Sequence, residues 1–208
     1  MKTIITIGRQ YGSGGKEISK KLSEKLGIPF YDDEFAQGVA EAVNAHPDVV
    51  KKVDERATNS LLYTLVSGGG LRGISDVIQY EMHINDKVFV GQSNFIKETA
   101  KKGPCIFLGR CADYVLDGEK NLLRVFLYAD MDSKIKRIGK LYDLDAKKAK
   151  EQIIKIEKQR KTHYNYYTDR EWDDLSTYDL CINVGLLGID NAVDLIIDCV
   201  NKMEAKDA

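Results

Sequence analysis

The chain has 208 residues, 43% of them hydrophobic and 30% charged, with only three prolines. Such a chain folds and buries a substantial core, and its length suits one domain or one domain carrying an insertion. Its 31 Lys and Arg stand against 32 Asp and Glu, a net charge of −1, which excludes nucleic acid and anionic membranes as expected partners because both reward a strong positive excess.

In chain order, short β-rich runs alternate with longer helical periods, the pattern of an α/β fold built on a largely parallel sheet. Lys2–Ile7 is the first predicted strand, bounded by Gly8. The apolar stretch there is too short for a signal peptide, and no run approaches the ~20 apolar residues that cross a bilayer. Lys16–Leu26 is predicted helical, with Ile18, Leu22 and Leu26 on one face and Gly27 past its end. Ile28–Tyr31 is a second strand, Cys105–Leu108 a third, Leu122–Tyr128 a fourth and Tyr178–Asn183 a fifth. Helices are expected over Asp132–Tyr142, from Ala146 to about His163, and over Asp190–Met203. Asp33 to Lys102 breaks the rhythm and reads as a helical insertion, split by His46-Pro47 and by Gly68-Gly69-Gly70. Cys105, Cys111, Cys181 and Cys199 lie far apart with no CxxC pair, the pattern of buried free thiols. The expectation is a cytoplasmic, reduced protein.

The first segment with chemistry is Gly8-Arg9-Gln10-Tyr11-Gly12-Ser13-Gly14-Gly15-Lys16-Glu17-Ile18. It follows a strand and opens a helix. Glycines at 12, 14 and 15 let backbone N–H groups converge, and the helix N-terminus adds about half a positive charge. Lys16 can reach past this cradle to β- and γ-phosphates. Tyr11 to Ile18 is thus a candidate phosphate-binding loop. Counted back from Gly15-Lys16, GxxxxGK[ST] has Gln10 at its first glycine and Glu17 at its metal-binding hydroxyl. Glu17 either turns away from the phosphates, leaving magnesium to Ser13, Asp32 or water, or holds the metal itself.

That loop, Gly27 to Asp32, Pro104 to Tyr114, Arg124 to Ala129 and Tyr178-Asp179-Leu180 together resemble the cytidylate kinase-like family, a divergent branch of the P-loop nucleoside monophosphate kinases. The resemblance covers nearly the whole chain. It implies a P-loop kinase fold: one domain over 1–208, a five-stranded parallel sheet flanked by helices, a helical acceptor-binding insertion over 33–102 and a helical lid over 143–172. It further implies ATP, Mg²⁺ and transfer to a nucleoside monophosphate, CMP or dCMP foremost. Another small acceptor, or a nucleotide-binding regulatory protein without catalysis, is the alternative. Small nucleotides are the expected partners, and a homo-oligomer is compatible with the composition.

Four cations are candidates for the moving charge: Lys16, Arg110, Arg137 and Arg160. Arg110 follows strand three at the carboxyl end, where open α/β sheets bind ligands, and by resemblance it orients the acceptor phosphate; pairing with Asp113 is its structural alternative. Arg137 lies beside the apolar stripe of Ile135, Ile138 and Tyr142, among the basic Lys134, Lys136 and Lys140, and serves the donor phosphates or a solvated face. Arg160 continues the stripe of Ala149, Ile153 and Ile156. An arginine pointed at the protein needs an anion, either a nucleotide phosphate or a structural carboxylate. Asp32 and Asp33 mark the acceptor entrance by resemblance, Asp33 being equally suited to capping a helix. His163, Tyr164, Tyr166, Tyr167 and Trp172 either stack on a base or pack the lid.

Overall fold

The computed structural model describes residues 1–32 and 72–206, the side chains of 72–84 excepted. Its elements are β1 (Ile4–Arg9), α1 (Gly15–Leu26), β2 (Phe30–Tyr31), α2 (Arg72–Ala100), β3 (Ile106–Leu108), α3 (Ala112–Val115), β4 (Leu122–Tyr128), α4 (Met131–Tyr142), α5 (Ala146–Thr168), a 3₁₀ turn (Leu175–Thr177), β5 (Leu180–Asn183), α6 (Val184–Leu187) and α7 (Ile189–Lys206). The strands form one sheet in the order β2-β3-β1-β4-β5, and every neighbouring pair is parallel.

β1 holds the centre, with Ile5 opposite both Ile106 of β3 and Leu123 of β4. Ile5, Thr6 and Ile7 are all buried, so both faces of the strand are covered, as a parallel sheet between helices requires. Ile18 and Leu22 of α1 and Ala192, Val193, Ile196 and Val200 of α7 join the strand residues in one core. A satellite cluster of Ile138, Ala149 and Ile153 joins α4 to α5, with Tyr11 and Leu144 packed against it.

Some boundaries differ from expectation. β1 runs past Gly8 to Arg9, because Gly8 and Arg9 stay in the ladder opposite Phe126 and Leu127. Glycine at position 8 serves a close approach: a Cβ there would lie 2.9 Å from Phe126 Cδ2 and 3.1 Å from Tyr178 Cε1. Tyr142 is exposed and not on the α4 stripe; Leu144 packs against that cluster. α5 continues five residues beyond His163, to Thr168. All four cysteines are free, Cys105 and Cys111 buried, Cys181 and Cys199 partly exposed.

The chain divides into two compact units, Met1–Asp32 with Ile96–Ala208, and Asp33–Phe95. In the second, the described part is α2 up to Phe95. Asp33, His46-Pro47 and Gly68–Gly70 lie outside the described residues. All the site geometry below belongs to the first unit.

Candidate functional site

The chain leaves β1 at Arg9 and is pinned by the Gln10 amide, which donates to Leu127 O at 2.9 Å. It then turns through Gly12 (φ 86°) and Gly14 (φ 89°), both in the left-handed region that favours glycine. Gly14 caps α1 with no side-chain hydrogen bond, and the Ile18 amide donates to its carbonyl at 3.0 Å. The N–H groups of the first turn have no intrahelical acceptor and face outward with the positive end of the helix. The buried Ser13 hydroxyl donates to Gln10 O at 2.9 Å, closing the turn from inside. α4 backs this loop closely: a Cβ on Gly12 would lie 3.1 Å from Ile138 Cγ1 and 3.2 Å from Lys134 Cβ. Beside Gly14 stand Arg137 and Ile189, the latter so close that a Cβ would overlap it.

Around the loop the charges are arranged in layers. Lys16 Nζ, at the exposed helix start, pairs with Asp32 Oδ2 at 2.8 Å, and the Asp32 side chain is 15% exposed. Glu17 turns to α4, where its carboxylate accepts from Arg137 Nη2. From α5, Arg160 Nη1 donates to Arg9 O at 3.0 Å, and its guanidinium lies 5.5 Å from the Tyr11 ring centroid. The Tyr11 hydroxyl accepts from Gln152 Nε2 at 3.0 Å, and burial pushes that phenol up to about 12. Burial, reinforced by repulsion from Arg9, holds Arg160 down to about 9, against the pull of Glu157, Tyr11 and Asp32. Among the described residues no carboxylate forms an ion pair with Arg160.

At the end of β3 the chain turns through three left-handed residues, Gly109 (φ 75°), Arg110 (φ 62°) and Cys111 (φ 54°). A left-handed residue with a side chain costs about 1–2 kcal/mol, so two in succession hold Arg110 at the carboxyl edge of the sheet against a local preference. The buried Asp113 carboxylate accepts from Tyr164 OH at 2.6 Å, and burial raises its pKa. Arg110 lies near His163, whose pKa burial, and secondarily the Arg110 charge, bring down to about 4.

The aromatic group divides. Tyr164 and Trp172 pack: the first is buried on Asp113, and the second meets Phe126 edge-on at 5.6 Å and accepts at its carbonyl from Tyr178 OH. His163, Tyr167 and Tyr166 form a chain of rings, 4.9 and 4.8 Å between centroids, with Tyr166 exposed.

Two residues escape a reading by pattern. Lys134, grouped by sequence with a basic solvated set, is 4% exposed and ties three segments together: its Nζ reaches Glu157 at 2.9 Å and Gln10 Oε1 at 3.3 Å. Arg9 looks like a strand-end charge, yet its stem crosses Gly15 and its guanidinium crosses Gly109. The available signal was the glycine at each of those two positions. For a metal, the three oxygen candidates are dispersed: Ser13 bonds within the loop, Glu17 pairs with Arg137 and Asp32 pairs with Lys16. Among the described residues no group of three or more His, Cys, Asp or Glu is placed to hold an ion.

Residues 4–186 match the cytidylate kinase-like family. The chain belongs to that family. A relative within reach of direct comparison, the cytidylate kinase of Methanocaldococcus jannaschii, is 23% identical over 97% of this chain and 99% of its own. A solved structure from Eubacterium ventriosum, described as an uncharacterized protein, is 30% identical with a TM-score of 0.70, covering 96% of this chain and 99% of that one. The shikimate kinase of Bacteroides thetaiotaomicron, 15% identical with a TM-score of 0.54 over 97% of this chain and 99% of that one, shares the fold. The fold of this family member is thus that of the P-loop kinases.

Proposed function

We propose that this protein transfers the γ-phosphoryl group of ATP to a nucleoside monophosphate, CMP or dCMP foremost, as a cytoplasmic enzyme. An acceptor phosphate oxygen attacks the γ-phosphorus while the bond from that phosphorus to the β,γ-bridging oxygen breaks. ADP leaves with the bond's electron pair, and the acceptor becomes a diphosphate. Little proton chemistry is needed, so positioning and electrostatics carry the rate.

The roles divide among the residues assembled above. The amides from Tyr11 to Ile18 cradle the donor phosphates, with Lys16 as a cation at the rim. Arg160 and Arg137 neutralise charge as the phosphoryl group moves. Arg110 orients the acceptor phosphate, with Asp32 and Asp33 at the acceptor entrance, the insertion over 33–102 forming the acceptor site and the segment 143–172 closing as a lid. The Asp32 carboxylate is a hard oxygen donor beside the loop and suits Mg²⁺, which it would hold directly or through water together with the phosphates. The metal, when bound, withdraws charge from the phosphate oxygens. Ser13 and Glu17, engaged with Gln10 and Arg137, are the lesser donors.

The observation that carries this reading is Arg160: a partly buried guanidinium that bonds the carbonyl at the start of a phosphate-type loop, with no carboxylate pair among the described residues. A phosphate oxygen is a partner that this guanidinium suits. The test is ADP formation with ATP and Mg²⁺ across CMP, dCMP, UMP, AMP and unphosphorylated small alcohols. ADP appearing with CMP or dCMP and not without acceptor supports the proposal. ADP formed only with a different acceptor replaces the substrate, and ATP binding without turnover on any acceptor leaves a regulatory nucleotide binder.

A further inference from the structure

The loop does not keep its cation where the GxxxxGK[ST] pattern keeps it. The left-handed glycine that caps α1 is Gly14, and the helix opens at Gly15. With Gly14 as the second glycine of the pattern, the first glycine falls on position 9, the lysine on position 15 and the hydroxyl on position 16. The chain has Arg9, Gly15 and Lys16 there. A cation stands where the pattern wants no side chain, and no side chain stands where the pattern wants a cation.

The two departures fit each other in space. A Cβ on Gly15 would lie 2.9 Å from Arg9 Cγ and 3.2 Å from Arg9 Cβ. The Arg9 stem therefore fills the volume through which a residue-15 side chain would leave the helix. Further out, the guanidinium passes over Gly109 so closely that any Cβ there would overlap it; Arg9 Cζ would be 2.9 Å away. Both neighbours are bare where Arg9 passes. Its backbone carbonyl accepts from Arg160 at 3.0 Å, and the two positive charges are close enough for Arg9 to lower the Arg160 pKa. Asp32 is near enough to favour the Arg9 charge but makes its ion pair with Lys16. Among the described residues no carboxylate pairs with Arg9. Two guanidinium groups at this end of β1, neither ion-paired to a carboxylate among the described residues, suit the oxygens of a polyphosphate.

We propose that Arg9 is the phosphate-binding cation of this loop, entering from the end of β1 in place of a lysine on α1, and that Gly15 and Gly109 lack side chains to give it passage. Its ligand is the terminal phosphate of a polyphosphate. A planar fork takes two oxygens at once where an ammonium offers a point charge, so Arg9 also fixes the phosphate's orientation. Lys16, one position on, is left at the rim as the partner of Asp32.

The inference rests on the donor-site reading of the loop, and the experiment separates the two. Calorimetry with Mg-ATP, ADP and inorganic tripolyphosphate is run on the wild type and on Arg9→Met, which keeps the stem over Gly15 and removes the charge. The expected result is a loss of about 10- to 100-fold in affinity for ATP and tripolyphosphate, the scale of a charged hydrogen bond, with a smaller loss for ADP. Equal affinities in a folded Arg9→Met overturn the inference alone. A wild type that binds neither ATP nor tripolyphosphate overturns the donor site and the inference with it. A second measurement needs no variant: phenylglyoxal modification of the wild type, mapped by peptide mass spectrometry with and without tripolyphosphate. Protection of Arg9 is expected. Arg9 modified equally in both conditions while Arg160 is protected overturns the assignment.

Discussion

Two pairs of arginines in the same unit have opposite surroundings. Arg124 donates from its backbone amide and Nε to Asp179 Oδ2 at 2.8 and 3.1 Å, from Nη2 to Asp179 Oδ1 at 3.0 Å, and from Nη1 to Asp117. Arg170 donates to the other Asp117 oxygen at 2.7 Å and covers the Tyr114 ring. The bond to Asp179 holds Arg124 above its ordinary pKa; burial pulls Arg170 down, but Asp117 outweighs it. Arg9 and Arg160 stand on the other side of the contrast: burial lowers both, and the Arg9 charge lowers Arg160 further. Arg124 and Arg170 have carboxylate partners; on the function proposed above, Arg9 and Arg160 take their anion from a bound phosphate.

The sharpest way to break this comparison is to delete one member of each pair. Arg160→Ala is expected to lower turnover by ~10³-fold or more, the scale of catalytic arginines, with a melting temperature near that of the wild type. Steady-state kinetics on the folded fraction decides it. Retained turnover with lost stability would move Arg160 to the structural class. Lys16 is the intermediate case, a cation with a carboxylate partner but 63% exposed at the loop. Lys16→Ala is expected to weaken ATP binding by about 10-fold and leave the fold intact; unchanged affinity by calorimetry would make the Lys16–Asp32 pair purely structural. Arg124→Ala should do the reverse of Arg160→Ala, costing about 1 kcal/mol in chemical denaturation, since partly exposed pairs contribute little, with turnover per folded molecule unchanged. A turnover loss comparable to that of Arg160→Ala would dissolve the contrast between the pairs.

Much of this was legible in the sequence. Hydrophobic runs mark every strand among the described residues, with Leu122–Tyr128 matched to the residue, because a parallel strand buried on both faces shows as a continuous apolar run. The loop's place between β1 and α1 was legible from the glycines, and Arg160 from its step along the stripe of Ala149 and Ile153. The pairings were not. Lys134 finds Glu157 across 23 positions and Gln10 across 124, and nothing local to Lys134 distinguishes it from Lys136 or Lys140. Counting from Gly15-Lys16 does not reach Arg9, because it looks for a lysine on the helix. Only the cap at Gly14 resets the count, and a cap is a matter of φ angles, not of composition.

Arg110 is a third arginine at the sheet edge, and His163 reports on it. Burial first, then the Arg110 charge, depress the His163 pKa from about 6.5 to about 4. Between those values the unfolded chain binds a proton that the folded chain refuses, so stability falls as the pH falls. The contribution is fully present above pH ~6.5 and is lost as the pH drops through about 4, with a limiting slope of about 1.4 kcal/mol per pH unit for one proton. Carboxylates titrate in the lower part of this window too, so the comparison must be differential. His163→Gln should melt with a shallower pH dependence than the wild type between pH ~6.5 and ~4.5, by a few degrees at the acid end. An anion held by Arg110 removes the repulsion, so saturating CMP should raise the wild-type His163 pKa, read from its imidazole proton shifts by NMR. Parallel melting curves for the two proteins would show that His163 is not the depressed group. A His163 titration that CMP leaves unmoved would separate Arg110 from the acceptor phosphate.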